Sequence, residues 1–297
     1  MRPYIQHRQI VVLALLSLLF FVVFNYLPML GTVIAFKDYS MSEGVLKSPW
    51  VGLAHFQRLF ESGDFPRAFR NTLVISGFRL IFGFFAPLTL ALMLNEVRMA
   101  GLRRGIQSLS CLPYFFSWVI LGGVLLMIFG GDGPVNSLLA TANQAPVNFL
   151  SHDVWFIVIL ILTGVWQSAG YGAVIYLAAL AGIGPQLYEA SELDGANRWQ
   201  QTWHITLPSL RPTIIVLFIL SLGGILNAGF DQIYNMYNPM VYDVADIIDT
   251  YVLRRMISMD YSLATAAGLL KSVISLVLVV GANGIARRVS GGEHGIW

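Results

Sequence analysis

Six long apolar runs constrain what this chain can fold into more than any other feature of its sequence. The first extends from Ile10 to Phe36 and contains no charged residue in 27 positions, whereas about 20 apolar residues suffice to cross roughly 30 Å of hydrocarbon. Each of the other five is at least 19 residues long. The sequence therefore predicts an all-α, polytopic membrane protein in which residues 1–297 form a single domain. The six predicted spans are about 10–36, 70–94, 108–129, 154–182, 212–230 and 264–286.

The composition agrees with a membrane environment, and the basic residues indicate an orientation. Hydrophobic residues make up 56% of the chain and charged residues only 11%, far from the balance of soluble proteins. With the N-terminus inside, the inner segments hold nine arginines, against seven Lys and Arg in the longer outer segments. Because basic residues near span ends keep short loops in the cytoplasm, both termini are predicted to be cytoplasmic. The net charge of +2 is thus a topology signal, and nothing in it indicates nucleic acid binding.

Motifs for catalysis and for cofactors are missing from the sequence. A phosphate-binding loop needs glycine-rich backbone followed by Gly-Lys-Ser/Thr, and the chain has no Gly-Lys dipeptide. It also has neither a Gly-x-Ser-x-Gly elbow nor a His-Glu-x-x-His motif. Cys111 is the only cysteine, which excludes an intrachain disulfide and a cysteine-built metal site. We therefore expect no enzyme activity, no metal and no cofactor in this chain.

One charged, polar segment, residues 184–208, separates the fourth and fifth predicted spans. Pro185 suits the first turn of a helix, and Asp194-Gly195 predicts a break, since glycine accepts the positive φ of a tight turn. Asn197 can cap a second helix that ends at Pro208 before the next span. The segment is therefore predicted to be a helix, a sharp turn and a second helix beneath the bilayer. On these signals alone, an amphipathic hairpin that merely links two spans is as good an interpretation.

The spacing of residues in this segment resembles a known motif. Glu189-Ala190-Ser191, then Gly195, then Ile205-Thr206-Leu207-Pro208 is similar to the Glu-Ala-Ala signature of the permease subunits of binding-protein-dependent ABC importers, with Ser191 in place of the third small residue. Asp194-Gly195-Ala196 is as in the sugar-transporting members. Further similarities to the carbohydrate-uptake, maltose-type family lie in Tyr26-Leu27-Pro28-Met29, Trp50-Val51-Gly52-Leu53, Leu92-Met93-Leu94-Asn95-Glu96, Leu112-Pro113-Tyr114 and Gly295-Ile296-Trp297.

The resemblance implies a fold, a location and a set of partners. It implies the type I ABC importer permease fold in the bacterial cytoplasmic membrane, with residues 184–208 as the coupling segment that docks in a cleft of an ATPase. Implied partners are a second, similar permease subunit, two ATPase subunits that bind ATP-Mg, and an extracytoplasmic solute-binding protein. Within the family, the chain looks most like the branch that takes oligo- or polysaccharides, including acidic chains such as alginate and pectin fragments.

Two cations inside the predicted spans are candidates for the substrate path. Arg79 and Lys271 lie about ten and eight residues into the second and sixth predicted spans. An unpaired charge at mid-depth would cost about 2.5–3.5 kcal/mol on insertion scales. Either residue could form a salt bridge or reach toward the outer surface, or it could offset negative charge on an acidic sugar chain.

Neutral sugar groups are held by aromatic faces and by amide or hydroxyl hydrogen bonds. Such side chains lie in the spans on either side of residues 184–208, at distances similar to those of sugar-contacting positions in maltose-type permeases. The alternative for each is a hydrogen bond between helices of the bundle. The candidates are Gln167 and Tyr171 in the fourth predicted span, and Ser221, Asn227 and Asp231 in or after the fifth.

Three other functions remain open at this point. The substrate could be a small neutral sugar or a sugar phosphate. The chain could be an ion-coupled secondary transporter, in which Arg79, Lys271 or Asp231 would relay protons or ions, although the inverted repeats usual in such proteins are not evident. It could also be a scaffold or receptor subunit that binds partners without transporting a solute.

Overall fold

The computed structural model describes residues 8–289. Its regular elements are helical, apart from one isolated β-bridge between Lys37 and Trp50. Six helical stretches are long and apolar enough to cross a membrane, which confirms the all-α class with six spans. From the first span to the sixth they are Val11–Phe36, Asp64–Glu96, Trp118–Thr141, Asp153–Ala181, Arg198–Gly223 and Tyr261–Gly284.

The described chain divides into two compact units. The smaller unit holds the first span, whose side chains are largely exposed, and the short helix Ala54–Glu61. In this unit, an ion pair between Arg58 and Asp260, 3.4 Å from nitrogen to oxygen, holds the short helix to the start of the sixth span. The larger unit holds the candidate functional site. The smaller unit comprises residues 8–66 and 251–271, and the larger one residues 67–250 and 272–289.

The fourth span, helix Asp153–Ala181, is the centre of the larger unit. Near its beginning, Phe156 packs in an apolar cluster that includes Ile233. Near its end, Leu177 packs in a second apolar cluster that includes Leu210. Between these clusters the helix carries several small or polar residues, and neighbouring elements approach it closely: a Cβ atom built on Gly170 would overlap the carbonyl group of Ser110. The small and polar residues of that stretch are Thr163, Gly164, Ser168, Gly170 and Gly172.

The run 108–129, predicted to be one span, is interrupted. A helix ends at Cys111, a 3₁₀ turn that contains Pro113 follows, and a new helix begins at Trp118. Proline lacks the amide hydrogen that a continuing helix needs, and Ser117 is extended, with a ψ of 152°. The prediction was wrong because leucine, phenylalanine and tyrosine give the same hydropathy in a helix and in a bend.

The fifth span starts earlier than the predicted 212–230. The helix that begins at Arg198 continues through a π turn, Thr202–Thr206, into helix Leu207–Gly223. Pro208 therefore does not end the helix, contrary to the prediction. The amide of Leu207 bonds back five residues to the carbonyl of Thr202, and Pro208 follows in the first turn of the next segment, where a proline is tolerated.

A break follows the fifth span inside the predicted apolar run. The helix ends at Gly223, a 3₁₀ turn covers Ile225–Asn227, and a seven-residue helix, Phe230–Met236, begins soon after. Between them, Ala228 and Gly229 have left-handed φ angles of 47° and 76°. Residues of this break form part of the walls of two cavities.

Candidate functional site

The first cavity has a volume of about 350 Å³ and lies in the larger unit, between the second span, the fourth span and the end of the fifth. Arg79 lines it from the second span, Tyr176 from the fourth, Ser221 from the fifth, and Gly229 from the break. The lining includes one cation and no acidic side chain. Two of the residues predicted from the sequence, Arg79 and Ser221, therefore line the same polar space.

Arg79 lines this cavity but is hydrogen-bonded to a neutral side chain that is not part of its lining. Its guanidinium donates a hydrogen bond to Oε1 of Gln232, whose side chain is fully buried. The Gln232 amide nitrogen donates in turn to the carbonyl of Leu160 at 2.9 Å and to Oγ1 of Thr163 at 2.8 Å. Within residues 8–289, Arg79 forms no ion pair, and its buried Nε atom has no hydrogen-bond partner. The salt bridge considered from the sequence is therefore not formed there.

Two glycines make room for the guanidinium. A Cβ atom built on Gly164 would lie 3.2 Å from an Arg79 nitrogen and 3.0 Å from Oε1 of Gln232. A Cβ atom built on Gly229 would fall on the guanidinium itself, and the left-handed φ of Gly229 independently favours glycine. The Arg79–Gln232 pair is thus held between the fourth span and the break after the fifth.

The two serine hydroxyls of the first cavity differ in their hydrogen-bond partners. Oγ of Ser76 donates to the carbonyl of Ile225 and ties the 3₁₀ turn to the second span. Oγ of Ser221 donates to the carbonyl of Phe218 at 2.7 Å within its own helix, and the residue is exposed. Ser221 can therefore still accept a hydrogen bond from a molecule in the cavity.

A second cavity, of about 330 Å³, lies on the other side of the break and shares Gly229 with the first. Its lining includes Trp118 and two carboxylates, Asp231 and Asp249. Asn227, also predicted from the sequence, lies in this wall. The two cavities thus differ in charge: the first is lined by a cation and the second by two acids.

The three remaining candidates lie outside these two linings. Tyr171 stacks on Tyr114, with 4.1 Å between ring centroids and 4° between ring planes. Nε2 of Gln167 donates to the carbonyl of the same Tyr114 at 3.4 Å, so both residues hold the 3₁₀ turn before the third span. Lys271 lies in the sixth span and belongs to the smaller unit.

Residues 184–208, called the hairpin below, have the predicted helix, turn and second helix. The first helix is Pro185–Leu193, and the turn at Gly195 has a φ of 79°. Asn197 caps the second helix in a reciprocal pair with Gln200, with hydrogen bonds of 2.9 and 2.8 Å. Leu193 is 90% exposed. Of the motif residues, Glu189, Ala190, Asp194 and Pro208 are exposed, and Ser191, Ala196, Ile205 and Leu207 are half-buried.

Side-chain contacts fix the two helices of the hairpin to each other. The hydroxyls of Tyr188 and Thr206 lie 3.0 Å apart, and Nε2 of buried Gln201 donates to Oγ of Ser191 at 3.0 Å. Ser191, which departs from the Glu-Ala-Ala pattern, is therefore a hydrogen-bond acceptor for the second helix. Since the second helix continues into the fifth span, the hairpin is joined to the bundle by continuous helix.

A family model described as the binding-protein-dependent transport system inner membrane component matches residues 80–291. This range includes the hairpin, the second cavity and the lining of the first cavity apart from Ser76 and Arg79. The chain belongs to this family.

One relative and one solved structure align with nearly the whole chain. The polygalacturonan/rhamnogalacturonan transport system permease protein YteP of Bacillus subtilis (strain 168) is 42% identical over 297 residues, which is 99% of this chain and 91% of the relative. The matching chain in the crystal structure of a bacterial ABC transporter involved in the import of the acidic polysaccharide alginate is 40% identical, with a TM-score of 0.91 and coverage of 97% of this chain and 98% of that chain.

A second solved structure extends the comparison to a complex. It is a bacterial alginate ABC transporter in complex with an alginate pentasaccharide-bound periplasmic protein, and the matching chain is 39% identical with a TM-score of 0.91. The alignment covers 99% of both chains. The resemblance to carbohydrate-uptake ABC permeases, near the alginate and pectin-fragment branch, is thereby confirmed.

Membership of this family determines the location and the type of this subunit. It is a multi-pass inner membrane subunit of an ABC importer that depends on a binding protein, and the family implies that an ATPase partner supplies the energy. The chain is thus a transport subunit and not an enzyme. Its relatives are ABC importers, so an ion-gradient mechanism no longer accounts for it.

Several residues of the site could not be found from the sequence. Gly164 and Gly229 look like ordinary helix-packing or turn glycines, and their role follows only from the position of Arg79. Gln232 is conspicuous as a polar residue after an apolar run, but its partner is 153 positions away. Tyr176 and Trp118 carry no signal that separates them from the other aromatic residues of the spans.

Proposed function

We propose that this permease subunit imports oligo- or polysaccharides and forms half of their translocation pathway. The proposal rests chiefly on one observation. The chain aligns over 97% of its length with a chain of an ABC transporter involved in alginate import. Two cavities whose walls carry Arg79, Asp231 and Asp249 are consistent with a path through it. Polar groups at membrane depth are costly unless they line a pathway or meet a partner.

The proposed substrate path runs along the break after the fifth span. Arg79 and Ser221 contribute from the first cavity, and Asn227 and Asp231 from the second. Tyr171, Gln167 and Lys271 are proposed to contribute from the bundle surface, where a second permease subunit would complete the path. Discontinuous helices at mid-depth are typical of transporter binding sites, because unwound backbone supplies hydrogen-bonding groups there.

The hairpin is proposed to couple the path to the ATPase. Its first helix carries exposed side chains on the side opposite to the second helix, including Leu193 and Glu189, which a partner cleft could cover. The ion pair between Glu192 and Arg198, at 3.3 Å, supports the turn at Gly195. Because the hairpin is internally bonded and continuous with the fifth span, a displacement of the hairpin would move that span and change which side the cavities face.

The proposed assembly contains a second, homologous permease subunit, two ATPase subunits that bind ATP-Mg, and a solute-binding protein outside. The arginine distribution supports cytoplasmic N- and C-termini, so that the hairpin faces the ATPase. Both termini, with the motif Gly295-Ile296-Trp297, lie outside the described residues.

Reconstitution tests this proposal. The chain is co-expressed with its partner permease, ATPase and binding protein, inserted in liposomes, and assayed for ATP hydrolysis and for uptake of labelled oligosaccharides. Stimulation of both by sugar-loaded binding protein is the expected result. Stimulation only by a small neutral sugar or a sugar phosphate would retain the importer and overturn the substrate class. A complex that no carbohydrate stimulates would overturn the proposed function.

A further inference from the structure

We propose that Arg79 is the carboxylate-binding residue of the first cavity, and that an acidic sugar unit in this cavity binds the guanidinium in competition with Gln232, which lines the second cavity. This inference rests on the proposed function. It names the substrate class, uronate-containing chains, and the residue that selects it.

The first argument is electrostatic. Arg79 lies near the middle of the 33-residue helix Asp64–Glu96, about 23 Å from the helix start at 1.5 Å per residue. An arginine side chain is too short to bring its charge to either end of that helix. Burial of an unpaired cation at such depth is unfavourable, and its partner here is a neutral amide. Among the described residues, no acidic side chain forms an ion pair with Arg79.

The second argument concerns hydrogen-bond capacity. A guanidinium has five N–H donors, and the hydrogen bond from Arg79 to Gln232 uses one of them. The Nε atom has no partner in the part of the chain that the structure describes. A carboxylate accepts two parallel hydrogen bonds from a guanidinium, which a glutamine amide cannot match. A uronate is therefore a better acceptor for Arg79 than Gln232.

The third argument is the shape and lining of the cavity. Its volume of about 350 Å³ is within the range of about 300–1,000 Å³ for small-molecule sites. Tyr176 and Ser221 offer hydroxyls for sugar hydroxyls, and Phe84 offers an apolar ring. The carboxylates Asp231 and Asp249 line the other cavity, so the lining of the first cavity contains no side chain that repels an anion.

A competing interpretation uses the same contacts. Arg79 could be a structural pin that fills the space beside Gly164 and Gly229 and holds the break after the fifth span. A pin and a carboxylate site make different predictions for matched ligands. Loss of a pin alters the cavity for every sugar, whereas loss of a counter-charge weakens only the acidic one.

The test measures binding to the complete importer in nanodiscs without binding protein. The probes are a short oligouronate and the same chain after reduction of its carboxyl groups to neutral alcohols. For Arg79→Gln, we expect the affinity for the oligouronate to fall about 10- to 100-fold, as for loss of a charge-assisted hydrogen-bond pair. The affinity for the reduced chain should change less than about threefold. Arg79→Lys, which keeps the charge but not the paired geometry, should give an intermediate loss.

A second variant should change affinity in the opposite direction. Gln232→Ala removes the internal acceptor that competes for the guanidinium, so oligouronate binding should tighten several-fold while binding of the reduced chain does not. Arg104→Gln, which removes an exposed arginine on helix Ala100–Cys111, is the control and should alter neither.

The outcomes separate the possible failures. Equal losses for both probes in Arg79→Gln, or weaker oligouronate binding in Gln232→Ala, would make Arg79 a structural pin and overturn the inference. Retained oligouronate binding in Arg79→Gln would overturn it as well. If Arg79→Gln does not assemble, the binding results for Arg79→Lys and Gln232→Ala test the inference instead. Absence of binding of either probe to the wild-type complex, with no ATPase stimulation, would instead indicate that the proposed function is wrong.

Discussion

The hairpin and the first cavity are built in opposite ways. In the hairpin, the side-chain contacts that fix the fold join residues at most 18 positions apart, as Tyr188 and Thr206 are. In the cavity, the hydrogen bonds from Arg79 to Gln232 and from Ser76 to Ile225 join residues 153 and 149 positions apart. The hairpin is thus specified locally and the cavity by the packing of the whole bundle. A substitution that distorts the backbone of the cavity wall should therefore affect assembly, and one that distorts the hairpin should affect coupling.

The largest effect is expected at Gly229. Valine there would combine a left-handed backbone, at about 1–3 kcal/mol, with a Cβ atom on the Arg79 guanidinium, which would have to leave Gln232. We expect Gly229→Val to be nearly absent from the membrane fraction, measured by immunoblot against wild type. Gly223→Ala is the control, because its Cβ would meet only Val279 at 3.8 Å. Normal amounts of Gly229→Val would show that the break after the fifth span tolerates a side chain at this position.

Gly195 provides the matching test in the hairpin. Its φ of 79° disfavours a branched residue by about 1–2 kcal/mol, but a Cβ would meet no atom within 4 Å. Gly195→Val should therefore assemble normally and lose most sugar-stimulated ATP hydrolysis, about tenfold or more, in reconstituted liposomes. Gly195→Asn should retain more activity, because asparagine tolerates the left-handed region. Loss of assembly in Gly195→Val would contradict the separation between the two regions.

The same contrast explains how far the sequence could be interpreted. Gly195 and Asn197 act on backbone within a few residues of themselves, so turn and capping rules predicted both correctly. Pro208 was misjudged because a π turn shifts the hydrogen-bond register just before it, which composition does not reveal. Arg79 could be identified as unusual by its charge in a span. Its neutral partner and its two flanking glycines could not, because Gly164 and the pair Gly229 and Gln232 lie 85 or more positions away from it in the chain.

A substitution at Gly164 should disturb the Arg79–Gln232 pair less than one at Gly229. Alanine in a helix is usually favoured over glycine by about 1 kcal/mol, but here its Cβ would press on both Arg79 and Gln232. We expect Gly164→Ala to assemble and to bind oligosaccharide several-fold more weakly, measured in nanodiscs. Gly77→Ala, whose Cβ would meet no atom within 4 Å, should bind as wild type and unfold at a slightly higher temperature. Equal behaviour of the two variants would mean that the guanidinium has room to shift.

The smallest effect is expected from substitution of Asn197. This variant tests whether the hairpin needs its own helix cap or is stabilised by the fifth span alone. Asn197→Ala removes the hydrogen bond to the Gln200 amide, which should cost about 1 kcal/mol. That corresponds to roughly fivefold in the local opening equilibrium, seen as faster amide exchange at the start of the second helix. Asn197→Ser, which keeps a capping oxygen, should exchange like wild type. If alanine changes nothing, the Ser191–Gln201 and Tyr188–Thr206 bonds hold the helix start without the cap, and the hairpin is stabilised by contacts between its helices more than by its turn.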